Sequence, residues 1–145
     1  MQLNEVLLGA WLRLSTSINN SRLVSEMSYN ESLICNILYR NALEHPEQKL
    51  TATDLCRESR ILKSQMNRIL TQLETRNLVT RERSPEDKRK IYVSLSSEQS
   101  NTYLKQHAQI LKLLDAIIEK FGEDQTLEII RALNGISDVA DEVIK

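Results

Sequence analysis

One stretch departs from the helical character of the rest of the chain and narrows the folds open to it. It reads "RERSPEDKRKIYVSLS", residues 81–96. Two runs of alternating character, Leu78 to Arg83 and Lys90 to Leu95, flank a loop that opens Ser84-Pro85. Alternation with β-branched and aromatic residues (Ile91, Tyr92, Val93, Leu95) predicts strands, and Ser-Pro predicts the turn between them. Elsewhere the apolar residues recur at helical spacing. Only three Gly and two Pro occur in 145 residues, as expected of a mostly helical chain. The expected fold class is therefore mainly α with one small β-hairpin, in a single domain spanning 1–145.

The helices announce their own starts. Leu3, Val6, Leu7, Ala10, Leu14 and Ile18 form a stripe that predicts a helix from residue 3 to about 26, with Trp11 beside it. Ser28-Tyr-Asn-Glu31 fits a capping box, in which hydroxyl and carboxylate satisfy reciprocal backbone amides. The helix it opens carries Ile34, Ile37, Leu38 and Ala42 on one face and stops before His45-Pro46. Thr51-Ala-Thr-Asp54 is a second capping box, for a short helix through about Glu58. After a tight connection at Ser59 to Leu62, a third stripe runs through Met66, Ile69, Leu70 and Leu73. Asn77 stands where a helix exit favours a left-handed residue. Ser96-Ser-Glu-Gln99 is a third candidate box, ahead of one helix to Phe121-Gly122 and another from about Glu123 to Ile144. Both are apolar on more than one face, which calls for burial on more than one side and so for a second subunit.

Charge is unevenly placed. Between Arg57 and Lys90 there are ten Lys or Arg against five Asp or Glu, leaving nine basic and fifteen acidic residues elsewhere. A basic segment in an otherwise acidic chain predicts a polyanion-binding face; chance clustering on a solvated surface gives the same counts. Short helix, tight turn, second helix and hairpin make a winged helix-turn-helix. With Met66, Ile69, Leu70 and Leu73 turned inward, the second helix presents Lys63, Ser64, Gln65, Asn67, Arg68, Thr71 and Gln72 outward. Arg suits guanine, and Asn or Gln suits adenine. Arg83, Lys88, Arg89 and Lys90 on the hairpin are suited to an adjacent minor groove, and Asp87 to orienting the Arg89 guanidinium.

Residues 50–96 resemble the DNA-binding core of the MarR family, the multiple-antibiotic-resistance type regulators. In "SPEDKRKIYVSLS", Asp87 and Arg89 fall on that family's Asp-x-Arg wing signature and Leu95-Ser96 on its Leu-Thr strand exit. "MNRILTQLE" and "NLVTR" match as well, with Asn77 in place of a Gly. The resemblance implies a homodimer on a palindromic double-stranded DNA operator, acting as a transcriptional regulator, commonly a repressor. It also implies a DNA-binding lobe at about 30–96 and dimerisation helices at about 1–27 and 97–145. The resemblance also implies regulation by a small ligand, often an aromatic acid or phenol, by cysteine oxidation, or by no known signal. Trp11, Tyr29, Tyr39 and His107 are candidates to line an effector pocket, although each also suits a core or rim position.

Other classes fare less well. Cys35 and Cys56 read as inert core thiols, with oxidation sensing as the alternative. With His45 and His107 they show no metal-ligand spacing, so no metal or cofactor is expected. No phosphate loop or nucleophile triad argues for an enzyme. A helical interaction module, such as an anti-repressor, is the competing class, and the presence of Arg68 and Arg89 weighs against it. No apolar run reaches the length of a membrane span and no basic segment precedes Val6 to Leu12, so a cytoplasmic protein is expected.

Overall fold

The computed structural model describes residues 1–19, 26–98 and 101–144. Its elements run α1 (Leu3–Asn19), α2 (Tyr29–Glu44), β1 (Leu50–Thr51), α3 (Ala52–Ser59), α4 (Lys63–Thr75), β2 (Val79–Arg83), β3 (Ile91–Leu95) and α5 (Thr102–Ile144). The chain divides into two compact units, Met1–Gln106 and His107–Lys145. Residues 20–25, assigned from sequence to the first helix, lie outside the described residues.

Of the three expected capping boxes, the first two form. Glu31 N donates to Ser28 Oγ at 3.1 Å and Ser28 N to Glu31 Oε1 at 2.9 Å. Thr51 and Asp54 make the same pair of bonds at 2.9 and 3.1 Å, opening α3. Glu31 has a second task, accepting from Arg76 Nη1 at 2.9 Å, while Arg76 Nη2 donates to the Glu26 carbonyl. One nearly buried carboxylate thereby starts α2 and ties it to the end of α4. Asn77 adopts φ 60° as its position required. The Leu78 amide reaches the Leu73 carbonyl and the Asn77 amide that of Glu74, a Schellman closure with Leu73 and Leu78 both buried.

Three features differ from the sequence expectation. The sheet has three strands in the order β1-β3-β2, because the two residues Leu50 and Thr51 pair antiparallel with Val93 and Tyr92. A two-residue strand is too short to show a period, and its Thr51 also signals a helix start. The α3–α4 connection turns on Arg60 at φ 63°, a left-handed residue that is not Gly or Asn. The last helical segment starts at Thr102, and Asn101 caps it by accepting from the Tyr103 amide at 2.9 Å. Gln99 of the expected third box lies outside the described residues. Asn101 is buried and its amide group also donates to the carbonyls of Leu78 and Ser96, so it joins the helix start to the base of the hairpin.

The lobe core holds Ile34, Cys35, Leu38, Leu55, Met66, Leu70, Leu73, Leu78, Val79 and Val93. Burying each larger aliphatic side chain stabilises the lobe by roughly 1.5–3 kcal/mol before entropy is counted. Tyr103 joins this core and accepts a hydrogen bond from Asn36 Nδ2 at 2.9 Å. Ser32 Oγ accepts from Nε2 of the buried Gln106 at 2.8 Å. By contrast α1 buries no residue. The helix assigned to Thr102–Ile144 is interrupted at Gly122, at φ 81° and ψ 167°, so two helical stretches meet where the sequence placed their boundary.

Candidate nucleic-acid interface

The surface of α4 follows from about 3.6 residues per turn. Met66, Ile69, Leu70 and Leu73 are buried. Ser64, Arg68 and Thr71 lie opposite that face, with Lys63 and Asn67 to one side and Gln65 and Gln72 to the other. All seven are exposed, as the sequence predicted. The N-cap of α4 is Leu62, whose side chain makes no capping bond and is exposed. The first-turn amides are therefore left for another acceptor, an arrangement that suits phosphate. Among the described residues, the side chains of Lys63 and Arg68 have no ion-pair or hydrogen-bond partner.

The wing is held by its own loop. Strands β2 and β3 pair from Val79↔Leu95 to Arg83↔Ile91. At the turn, Ser84 Oγ accepts from the amides of Glu86 and Asp87, and the Lys90 amide donates to the Asp87 carbonyl at 2.9 Å. Asp87 Oδ1 accepts from both the backbone amide (3.0 Å) and Nε (3.3 Å) of Arg89. The Arg89 side chain is 91% exposed, so a carboxylate aims a guanidinium that nothing else covers. Lys88 and Lys90 are exposed beside it. Arg83, read from sequence as a DNA contact, donates from Nη1 to the Lys88 carbonyl and thereby braces the turn. The sequence reading also missed Arg81, which is half-buried between wing and helix.

The thiols differ. Cys35 is fully buried, and burial, with the nearby Glu31 charge adding to it against Arg76, pushes its pKa up to about 12. Cys56, expected in the core, is half-buried beside a cavity of about 270 Å³ lined by Thr53, Lys63, Met66 and Asn67. Its ring of neighbours is the α3–α4 junction, which leaves one side of the thiol uncovered. Of the four effector candidates, Trp11 and Tyr29 are 66% and 79% exposed. Tyr39 stands 6.2 Å from Tyr103, ring centre to ring centre, and His107 is half-buried on α5. Tyr103, absent from the sequence list, is the aromatic residue packed deepest here. No group of three or more metal-ligating side chains occurs among the described residues, nor is any helix there long and apolar enough to cross a membrane.

A sequence model of the MarR family matches residues 40–90, which take in α3, α4 and the wing up to Lys90. The HTH-type transcriptional regulator FarR of Neisseria gonorrhoeae is 31% identical over 88 residues, 61% of this chain and 60% of that protein. Over this region the chain is similar in sequence to MarR-family regulators. The match spans about 60% of the length of that curated relative. Solved MarR-family folds extend the likeness along the chain. NadR in complex with 4-hydroxyphenylacetate is 24% identical, covers 94% of this chain and 92% of its own, and has a TM-score of 0.66. A MepR variant of S. aureus bound to an oligodeoxyribonucleotide is 13% identical, with coverage of 95% and 99% and a TM-score of 0.61. At these identities the two structures establish the winged-helix fold.

Proposed function

We propose that this chain is a MarR-family, sequence-specific double-stranded DNA-binding transcriptional regulator, a homodimer that represses from a palindromic operator until a small aromatic or phenolic effector releases it. The observation that carries the reading is the exposed polar face of α4, where Lys63, Ser64, Gln65, Asn67 and Arg68 stand opposite a sealed apolar face. Lys63 and Arg68 are not spent on intramolecular ion pairs among the described residues. In this reading Arg68 and Asn67 read base edges, Lys63 and the α4 amides meet phosphate, and Arg89, aimed by Asp87, enters the minor groove with Lys88, Arg83 and Lys90 nearby. The named contents of the MepR and NadR structures, an oligodeoxyribonucleotide and 4-hydroxyphenylacetate, support DNA and a phenolic acid as the two ligand classes. Trp11, Tyr29, Tyr39 and His107 remain the candidate effector contacts. The chain acts as one regulatory domain without catalysis or a metal.

Dimerisation belongs to the same reading, supported by the uncovered apolar residues of α1 and of residues 107–144. A two-fold arrangement places two recognition helices about 34 Å apart, giving half-sites about 10 base pairs apart centre to centre. Selection of bound duplexes from a random pool tests the whole proposal. Recovery of an inverted repeat supports it, and recovery of no consensus by folded protein refutes it. In the same assay Arg68→Ala changes the preferred bases, whereas Lys63→Ala lowers affinity for all sequences and reduces the salt slope by about 1.

A further inference from the structure

Arg81 leaves β2 and ends on α4. Its Nη2 donates to Glu74 Oε1 at 2.9 Å and to Thr71 Oγ1 at 3.1 Å, and its Nε donates to the same Glu74 oxygen at 3.3 Å. Thr71 Oγ1 gives its proton to the Asn67 carbonyl at 2.9 Å, so it meets the guanidinium as an acceptor. Arg81 holds the Glu74 carboxyl below the ordinary carboxylate value, first through this hydrogen bond and then through its charge, so Glu74 is ionised at neutral pH. Only 23% of the Arg81 side chain is exposed, against 91% for Arg89.

Residues 79, 81 and 83 point to one side of β2 by strand alternation. Val79 is in the core, Arg81 grips α4, and Arg83 grips the Lys88 carbonyl at the wing turn. Two arginines on one strand face thus reach in different directions, Arg81 to Thr71 and Glu74 on α4 and Arg83 to the loop that carries Arg89. The strand is also the sheet edge, with β3 as its one ladder neighbour, so backbone pairing holds it on one side alone. What fixes its other side, beyond Val79, is this pair of side chains.

We propose that Arg81 is a positioning residue, which locks the wing to the recognition helix through Glu74 and Thr71, and is not itself a DNA contact. The proposal rests on the DNA-binding reading above for its consequence: α4 and Arg89 meet one duplex at a set spacing only while the brace holds. The Coulomb gain of an exposed ion pair is small; its worth here is angular, because two grooves must be met at once.

The test joins binding and dynamics. Affinity for the selected duplex is measured by fluorescence anisotropy for the parent, Arg81→Gln, Glu74→Gln, Arg89→Ala, the Arg81→Gln/Arg89→Ala pair and the swap Glu74→Arg/Arg81→Glu. Amide hydrogen exchange of residues 84–90 is followed without DNA. The brace predicts a roughly tenfold loss for Arg81→Gln, within the coupling seen for residues in one network. The salt slope stays unchanged, and the loss is smaller in the same direction for the better-exposed Glu74→Gln. Arg89→Ala then costs less in the Arg81→Gln background than in the parent, and the swap recovers most of the affinity. Wing amides exchange faster in Arg81→Gln and return toward parental rates in the swap. Additive losses with a salt slope lowered by about 1 make Arg81 a phosphate contact and overturn the proposal. If the parent binds no duplex, the DNA-binding reading fails, and the exchange data still decide: faster wing exchange restored by the swap upholds the brace, unchanged exchange overturns it. Should Arg81→Gln fail to fold, Glu74→Gln carries the same comparisons.

Discussion

Ile34, Leu55, Met66, Leu70 and Leu73 in the winged-helix lobe are sealed from solvent, whereas Leu7, Trp11 and Leu14 on α1 and Leu133, Ile136 and Val139 on α5 lie exposed. The two regions do not differ in how apolar their helices are. They differ in whether one chain suffices to cover them. In the lobe, stripes from α2, α3 and α4 and one face of the sheet converge on a common centre. Residues of α1 and of 107–144 carry stripes as regular whose large apolar side chains lie exposed among the described residues, and exposed apolar patches of such extent mark interaction surfaces. The lobe is built to hold a shape; in the function proposed above, a second copy completes the flanking helices.

Single core truncations break that comparison most sharply. Leu70→Ala is expected to destabilise the lobe by about 2–5 kcal/mol, because the vacated space is enclosed on every side. Leu133→Ala, at an exposed site, is expected to leave lobe stability within about 0.5 kcal/mol. It weakens self-association instead. Urea unfolding at two protein concentrations separates them: Leu70→Ala shifts the midpoint equally at both, and Leu133→Ala shifts it more at the lower concentration. A Leu133→Ala shift independent of concentration would show that this helix is covered within its own chain.

The thiols sharpen the contrast between sealed and open within the lobe itself. Cys35, with its pKa raised from 9.0 to about 12, carries its proton in the folded state where an unfolded thiol has lost it. Stability from this group is whole below about pH 9 and is lost as pH rises toward 12, since the unfolded state then binds fewer protons than the native. Cys35→Ala removes that slope. At neutral pH iodoacetamide is expected to modify half-buried Cys56 and to spare Cys35, with mass spectrometry as the readout; modification of Cys35 first would contradict the buried assignment.

Glu31→Ala comes next, at about 2 kcal/mol, because one change removes a reciprocal N-cap bond and the partner of Arg76. Replacing Asp54 at the N3 position of the other box, with no such distant partner, costs less. Comparing the two by thermal unfolding isolates the tie between α2 and α4.

Local signals in the chain were legible where one residue type does one job. Ser28, Thr51 and Asn77 announced caps and an exit, and the periodicity of Met66, Ile69, Leu70 and Leu73 assigned the seven outward positions of α4 from Lys63 to Gln72. What stayed hidden depends on residues far apart in sequence. Arg76 with Glu31, Tyr103 with Asn36 and Gln106 with Ser32 are separated by 45, 67 and 74 positions, and no spacing rule connects them. Arg83 was read as a DNA contact and Arg81 given no role of its own, because a sequence does not tell a guanidinium aimed at solvent from one turned onto its own fold. The cap of α5 was misplaced for a related reason: Ser96 looked the part locally, but Asn101 also satisfies the Leu78 carbonyl at the hairpin base.

The smallest effect expected has the opposite sign. Leu62 occupies the N-cap of α4 with no side-chain bond to the first-turn amides, at a position where Ser, Thr, Asp and Asn are strongly preferred. An apolar residue there also leaves 66% of its surface in water. Both costs are local, so Leu62→Ser is expected to raise lobe stability by about 0.5–1 kcal/mol, seen as a higher midpoint in urea with an unchanged slope. If the vacant amides serve phosphate, the new hydroxyl competes for them, and operator affinity falls while stability rises. A stabilised variant that binds duplex as well as the parent would show that the first turn of α4 contributes nothing through its amides. A variant no more stable than the parent would show that Leu62 is held by contacts that its exposure does not reveal.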